Sequence, residues 1–377
     1  MRGRKPGRRP RGAMPAMLLF LFLLFSFCGT AKAETSYDYS GAQDVMDEAL
    51  ENEAPSFSDL VDAVTAGKLG ELIKGIPGWL KDSLFSEIET NRMNLGQVFL
   101  IAAFGTVFSG FASSFRSRQA GEAGFYVTYL LLLSLLLGAF YETAQIAEET
   151  VGHVLDFTAA LLPAFTLAVA RSGKTMTSVF SYEFIIGIIS VVQWLFQTFF
   201  LPGIEIYVVL GLVNHISKEE ILTKMTELLG TVLSWGIKTA VTLVVGYGAV
   251  QSMILPLADS LKTGAVTKAL SAIPGIGSGA GAAASLVAGT AALIRNGIGI
   301  AALIGLVLIC AVPVLKLAVI TLLYYGTAAV LQPIADERVT ECLSGTADGA
   351  RLLLKVTTSC VGMFLLLIGV LCAFSSV

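Results

Sequence analysis

The sequence predicts an all-α membrane protein. It predicts a polytopic transmembrane helical bundle of about seven to eight spans, preceded by a cleavable signal peptide and a short helical extracytoplasmic segment. Hydrophobic residues make up 55% of the 377-residue chain and charged residues only 14%, whereas soluble chains carry about 25% charged residues. The mean hydropathy is +0.75. Apolar runs of about 20 residues, the length that crosses a bilayer, recur along most of the chain.

Residues 1–33 have the three parts of an export signal. A basic stretch precedes the apolar run Ala16–Cys28, which is short for a membrane span, and Ala31–Ala33 supply an A-x-A cleavage pattern. Removal of this signal leaves the mature N-terminus outside the cytoplasm. Residues 34–93 then form an acidic extracytoplasmic segment of short amphipathic helices, in which Pro55 and Ser56 predict a break and an N-cap.

Residues 94–377 form the predicted transmembrane domain. The first span, 94–115, ends at Arg116 and Arg118, and positive charge of this kind marks the cytoplasmic side of a membrane. Residues 204–229 predict a half-span followed by an amphipathic helix at the membrane interface. The later full spans are predicted at 124–147, 151–170, 177–201, 231–255, 300–331 and 352–374.

A glycine- and alanine-rich tract occupies residues 274–305. Its first glycines, between 275 and 281, favour a flexible turn over the start of a helix. Gly281, Ser285 and Gly289 follow at intervals of four, and small residues at this spacing allow close packing of helices in lipid. The tract leads into 300–331, which is long enough for one span or for a pair broken at Pro313.

The most deeply placed charged residues of the predicted apolar segments are Glu183, Lys238, Arg295 and Lys316. Charge at mid-bilayer costs at least ~2.5–3.5 kcal/mol, so each residue needs a partner or a path of water. Glu183 and Lys238 are predicted to pair, as the lining of an ion path or as a structural ion pair, unless Lys238 extends to the interface. Arg295 marks either a re-entrant turn at a pore or a loop between two spans. Lys316 is expected to support a kink at Pro313.

The sequence predicts no catalytic centre, cofactor or metal site. His153 and Asp156 share a helix face, which allows either a proton relay or a hydrogen-bonded helix end. Only one other histidine exists, His215, and the five cysteines lack C-x-x-C spacing, so they are predicted to be small buried hydrophobic residues. The motifs of P-loop nucleotide binding, zinc proteases and serine hydrolases are absent. The sequence contains no basic stripe with interleaved aromatic residues, so it does not predict nucleic-acid binding.

The C-terminal third carries a family resemblance. The residues that carry it are Leu293–Asn296, Ile309–Pro313, Lys316, Leu331–Pro333, Asp336 and Cys342–Leu343. Over about residues 98–373 the chain resembles the stage III sporulation protein AE family of endospore-forming bacteria. The order of a signal peptide, a short extracytoplasmic segment and many spans is similar as well.

The resemblance implies a non-enzymatic subunit of a secretion-like channel complex, required for endospore development, that connects mother cell and forespore. It implies a multi-pass protein of the cell membrane, placed in the outer forespore membrane during sporulation. The implied partners are the other membrane subunits of the channel, a separate ATPase, and forespore-side proteins contacted through residues 34–93. The residues alone leave a second function open. A secondary transporter would use interrupted helices, for which Pro202–Gly203 and Pro274–Gly275 are candidates.

Overall fold

The computed structural model describes residues 37–50, 55–68, 118–171, 175–215, 222–246, 277–333 and 335–375. Within these ranges, the side chains of 118–125, 128, 171, 175–181, 277–295 and 370–375 are outside the description. The predicted signal peptide and the first span at 94–115 also lie outside it. All elements below belong to one compact unit, Tyr39–Val377.

Every regular element in the described ranges is helical. Two short helices, α1 and α2, come first, and α3 follows them. Helix α4 continues through a π-helical turn, Phe196–Phe200, into α5, and α6, α7 and α8 complete the chain. The bounds are α1 Ser40–Ala49, α2 Phe57–Thr65, α3 Arg118–Arg171, α4 Thr175–Leu195, α5 Leu201–Asn214, α6 Thr223–Gly246, α7 Gly277–Leu331 and α8 Glu337–Ser375.

Five of the described helical segments are long and apolar enough to cross a membrane. They are Tyr129–Ala170, Tyr182–Asn214, Thr223–Gly246, Asn296–Leu331 and Glu337–Gly369. This confirms the prediction of an all-α protein with several candidate membrane spans. The total of about seven to eight spans stays a prediction, because it includes a segment outside the described ranges.

The predicted spans 124–147 and 151–170 are one helix. Helix α3 runs without interruption for 54 residues, about 80 Å at 1.5 Å per residue. The chain therefore does not reverse at Glu148 and Glu149, and the prediction of a reversal there was wrong. The two glutamates break the apolar pattern but are good helix formers, so their charge ends a hydrophobic run without ending the helix. Pro163 is likewise accommodated within α3.

The predicted end of the span 177–201 was also wrong, because α4 and α5 form one continuous helical path through Pro202 and Gly203. Pro202 occupies the first turn of α5, directly after the π-helical turn. A π turn already departs from the regular hydrogen-bond ladder, so a residue without an N–H group is tolerated at its end. What the sequence predicted as a half-span is α5, the second part of this longer helix.

The glycine- and alanine-rich tract forms helix from Gly277 onward. Helix α7 continues for 55 residues to Leu331 and includes Pro313. The prediction of a flexible turn among the glycines between 275 and 281 was therefore wrong from residue 277 onward, and of the two alternatives for 300–331 the unbroken helix is the one adopted. The alanines between the glycines are the strongest helix formers and outweigh them. Gly281, Ser285 and Gly289 lie on α7, but their packing stays a prediction because the surrounding side chains are not described.

Helix α8 contacts three other long helices. It packs against α3, α5 and α7, and α7 reaches it through the short connector 332–336. Gly349 marks the closest approach. A Cβ atom there would overlap Cγ2 of Val208 on α5 and would lie 3.0 Å from Cε2 of Phe140 on α3. A glycine is therefore required where these three helices meet.

Two neighbouring glycines of α8 give a matched test of this packing. We expect Gly349→Ala to lower the free energy of unfolding by about 1–3 kcal/mol, because the added methyl group must displace Val208 or Phe140. Gly345→Ala should be neutral or slightly stabilising, since no atom of the described residues lies within 4 Å of its Cβ position. Thermal unfolding of the purified variants in detergent measures both, and equal midpoints would contradict the packing described.

Helices α1 and α2 are packed onto the long helices by their apolar faces. Ala42 and Met46 are buried on α1, Leu50 is buried directly after it, and Phe57, Leu60 and Val61 are buried on α2. The ring of Phe57 lies 6.0 Å from that of Phe157 on α3, edge to face. The predicted break and N-cap are confirmed, because Ser56 Oγ accepts a hydrogen bond of 3.1 Å from the N–H of Asp59.

The α1–α3 contact can be tested by cross-linking. A Cβ atom at Gly41 would lie 3.4 Å from Cβ of Ala160, close to the separation of about 3.5–4.5 Å that a disulfide needs. We expect Gly41→Cys with Ala160→Cys to form a disulfide in membranes treated with a mild oxidant. In the control pair, Gly152→Cys replaces Ala160→Cys on the same helix and should remain reduced. Mobility on non-reducing gels distinguishes the two, and cross-linking of the control alone would contradict this contact.

Candidate functional site: a polar groove along α8

A stripe of polar residues runs along one face of α8. Glu341, Ser344, Asp348, Arg351 and Lys355 follow one another at intervals of three or four residues, the spacing that places side chains on the same helix face. All five are at least partly exposed, whereas the positions between them are largely buried. The stripe therefore lies on a helix that packs against three others, but it opens to the outside.

The middle of this stripe forms one wall of a pocket of about 620 Å³. We call this pocket the polar groove. Helix α6 forms the opposite wall, and Tyr207 of α5 lies between the two. The charged and aromatic residues that line it are Tyr207, Glu227, Trp235, Lys238, Asp348 and Arg351. Four of these six side chains carry charge, which is unusual between helices that are apolar enough to cross a membrane.

Both carboxylates of the polar groove have a partner. Asp348 Oδ1 lies 2.9 Å from Nη2 of Arg351 and accepts a hydrogen bond of 2.6 Å from the hydroxyl of Tyr325 on α7. Glu227 Oε2 lies 2.8 Å from Nζ of Lys224, one turn earlier on α6. Asp348 thus links α8 to α7, and its geometry is fixed from two directions.

Polar contacts also join α3, α5, α6 and α8 at one end of the groove. The Asn214 side chain donates to Oγ1 of Thr223 at 2.8 Å and accepts from the N–H of Leu222 at 2.7 Å, so it connects the end of α5 to the start of α6. Nδ1 of His215 lies 3.2 Å from Oε2 of Glu341, where a protonated imidazole would form an ion pair. The Tyr129 hydroxyl donates to the Leu212 carbonyl at 2.8 Å.

The predicted pair of Glu183 and Lys238 does not form. Glu183 is exposed on α4 and borders an apolar depression with Leu243 and Val244, whereas Lys238 lines the polar groove. Positions 238 and 243 differ by five residues, about 7.5 Å along α6 and more than a third of a turn around it. The two helices are neighbours, as expected, but the register that the pair requires is not the one adopted.

The remaining predicted residues lie apart from the groove. Lys316 is partly exposed three residues after Pro313, inside the unbroken α7, and its support of a kink stays a prediction. The side chain of Arg295 is outside the description, but its backbone is helical, so the predicted loop or re-entrant turn was wrong. His153 and Asp156 form no ion pair with each other in the part of the chain that is described.

Two further observations concern the cysteines and the possibility of a metal site. Cys310, Cys342 and Cys360 are buried and free, which confirms their prediction as small buried hydrophobic residues. Among the residues described, no group of three or more His, Cys, Asp or Glu side chains is arranged to hold a metal ion. Sequence reasoning missed Tyr325, Asp348 and His215 as contact residues, although the spacing of the polar residues on α8 was a usable signal.

Comparison with known proteins identifies the family of this chain. The model of the stage III sporulation protein AE family matches residues 55–375, which include α2 to α8. The chain belongs to the stage III sporulation protein AE family. The resemblance noted in its C-terminal third is thereby confirmed and extends to nearly the whole chain.

A curated relative shows how far the similarity reaches. The stage III sporulation protein AE of Bacillus subtilis (strain 168) is 25% identical over 297 residues, which cover 76% of this chain and 74% of the relative. No solved structure gives a significant match. Family membership and the five apolar helices identify a sporulation-related membrane protein.

The Tyr325–Asp348 contact gives a test of the groove. Removing the hydroxyl by Tyr325→Phe leaves a partly buried carboxylate with one partner fewer, so we expect a loss of about 1–2 kcal/mol in the free energy of unfolding. Tyr182→Phe is the matched control, since Tyr182 is 40% exposed on α4 and should change stability by less than about 0.5 kcal/mol. Chemical unfolding in detergent measures both, and a loss no larger than that of the control would show that the contact contributes little.

Proposed function

We propose that this protein is a non-enzymatic, multi-pass subunit of a secretion-like channel complex that connects mother cell and forespore. The observation that carries the proposal is the polar stripe on α8. A charged face on a helix that packs against three others, with its polar residues at least partly exposed, is expected of a subunit whose neighbours or water complete it. Membership of the stage III sporulation protein AE family supports the proposed role in sporulation.

The proposal includes partners of three kinds. Other membrane subunits of the channel pack against the exposed apolar helices, and a separate ATPase supplies energy, because the sequence has no P-loop motif. Forespore-side proteins are contacted by α1 and α2, which place Asp44, Glu48, Asp59 and Asp62 on their exposed face. The proposed location is the outer forespore membrane, with the mature N-terminus outside the cytoplasm.

A secondary transporter is the weaker alternative. That function was predicted from interrupted helices, and at Pro202–Gly203 the helix is continuous. The second candidate position, Pro274–Gly275, lies outside the described ranges.

Affinity capture tests the proposed function. The full chain, tagged at its C-terminus, is expressed in sporulating cells of its own host, cross-linked and purified from membranes. We expect co-purification of several membrane proteins and an ATPase, together with loss of heat-resistant spores when the gene is deleted. Recovery as a lone protein, with normal spore formation in the deletion strain, would overturn the proposal.

A charge variant of α1 and α2 tests the contact with forespore-side proteins. Neutralising Asp44, Glu48, Asp59 and Asp62 to the corresponding amides should remove forespore-side partners while membrane subunits are retained, because the apolar faces of α1 and α2 are untouched. Exchanging Asp for Glu and Glu for Asp at the same four positions preserves charge and is the control. Quantitative mass spectrometry of the captured proteins is the measurement, and an unchanged partner set would exclude this surface.

A further inference from the structure

An apolar depression of about 480 Å³ lies between α4 and α6. Glu183, Gly187 and Val191 follow one another on α4 at intervals of four, so they share the helix face that forms one wall. Leu243 and Val244 of α6 form the other wall. Among the described residues that line the depression, Glu183 is the only charged one. The depression therefore combines apolar walls with a single carboxylate.

The carboxylate of Glu183 has no counter-charge within the described part of the chain. It forms no ion pair there, and Lys238, its predicted partner, lines the polar groove instead. Glu183 is exposed on α4 and lies six residues, about 9 Å, beyond the start of the span predicted at 177–201. A charge in such a segment is costly unless a cation or water accompanies it. Because the other walls of the depression are apolar, a cation from another molecule suits this site better than water.

The shape of the depression suits a helix. No atom of the described residues lies within 4 Å of the Cβ position of Gly187, and a glycine on the surface of a membrane helix allows another helix to approach closely. Val191 is 57% exposed and Leu243 is 66% exposed, so each offers apolar surface beside this glycine. A lysine or arginine on the incoming helix would place its alkyl stem along these walls and its charge at Glu183.

We propose that the apolar depression is the docking site of a membrane-spanning helix from another subunit of the channel complex, and that this helix carries a lysine or arginine that pairs with Glu183. The inference rests on the proposed function, because it takes the partner from the membrane subunits of the same complex. A lipid acyl chain would cover the walls of the depression equally well, but it would leave the carboxylate of Glu183 without a cation. The charge thus favours a basic helix as the occupant.

Site-specific photo-cross-linking in sporulating cells tests this docking site. A photoreactive amino acid replaces Val191 in the full chain, and mass spectrometry identifies the cross-linked peptide. We expect a peptide from a membrane span of another protein. Its sequence should contain a lysine or arginine within about two turns of the cross-linked residue, because Val191 lies eight residues from Glu183 on α4.

Charge exchange assigns the contact to Glu183. Glu183→Lys should lower the yield of this cross-link at least about tenfold, because it removes one partner of a charge pair and adds repulsion, and Glu183→Gln should lower it in the same direction. Replacing the basic residue of the captured helix by glutamate should restore the yield in the Glu183→Lys chain to within about twofold. Glu149→Lys, at an exposed position of α3, changes the net charge equally and should have no effect.

Stability measurements separate docking from folding. Because Glu183 has no ion pair in the described part of the chain, Glu183→Gln should leave the midpoint of thermal unfolding of the purified protein unchanged. A loss of cross-linking at an unchanged midpoint then reports the contact with the partner.

Three results would overturn the docking site. The first is labelling of lipid alone or of a second copy of this chain, and the second is a cross-link whose yield survives Glu183→Lys. The third is the absence of a protein cross-link at Val191 although affinity capture recovers the channel subunits, in which case the proposed function stands. Capture of a basic helix from a membrane protein with no part in sporulation, restored by charge exchange, would support the docking site and overturn the proposed function.

Discussion

The close contact of α8 with α3 and α5 at Gly349 is the constraint on which the arrangement of helices depends. Without a Cβ atom at this position, Val208 and Phe140 approach the backbone of α8 directly. That approach fixes the rotation of α8 about its own axis. Because each face of a helix carries a fixed set of residues, the rotation also determines which residues face each neighbouring helix. Once Gly349 faces α3 and α5, Asp348 is directed toward Tyr325 and the groove, and the other polar residues of the stripe follow. The packing of small residues thus determines where the charges go.

The charged residues of α8 are compatible with an apolar assembly because most of them are satisfied locally. Asp348 is held by Arg351 and Tyr325, and Glu341 lies beside His215. Each contact joins α8 to another element or to its own next turn. Removing one partner of such a contact would leave a charge in surroundings of low polarity, which is costly. The stripe consequently contributes to the specificity of packing as well as to the chemistry of the groove.

Composition and apolar run length predicted the fold class, and the capping pattern at Ser56 predicted the start of α2. The boundaries between spans were harder to predict, for a physical reason. Glu148 and Glu149 interrupt hydropathy without interrupting the helix, and the alanines around residues 280–290 maintain a helix that the glycines alone would disfavour. Hydropathy indicates which segments can lie in lipid, whereas the continuity of a helix depends on helix propensity and on packing.

At the candidate site, too, the sequence predicted individual residues better than the contacts between helices. The sequence identified Lys238 as a residue that needs a partner, but it assigned Glu183, because the two predicted spans are neighbours in the chain. The register between two helices is set by tertiary packing, here by Gly203 and Gly236, where an added Cβ would come within 3 Å of Leu233 and Phe200. Such contacts cannot be deduced from one helix alone. The periodic spacing of polar residues on α8 can be recognised in the sequence. The groove that these residues face cannot be predicted from it.

The uninterrupted length of α3 has a mechanical consequence. At about 80 Å, α3 is more than twice as long as the hydrocarbon core of a bilayer, which is about 30 Å thick. The same helix therefore contacts α2 through Phe157 and α8 through Phe140. No proline and no loop lies between these two positions. A push or pull applied to α1 and α2 has no hinge to absorb it along this path, so it is transmitted to α8 as a displacement of a rigid helix.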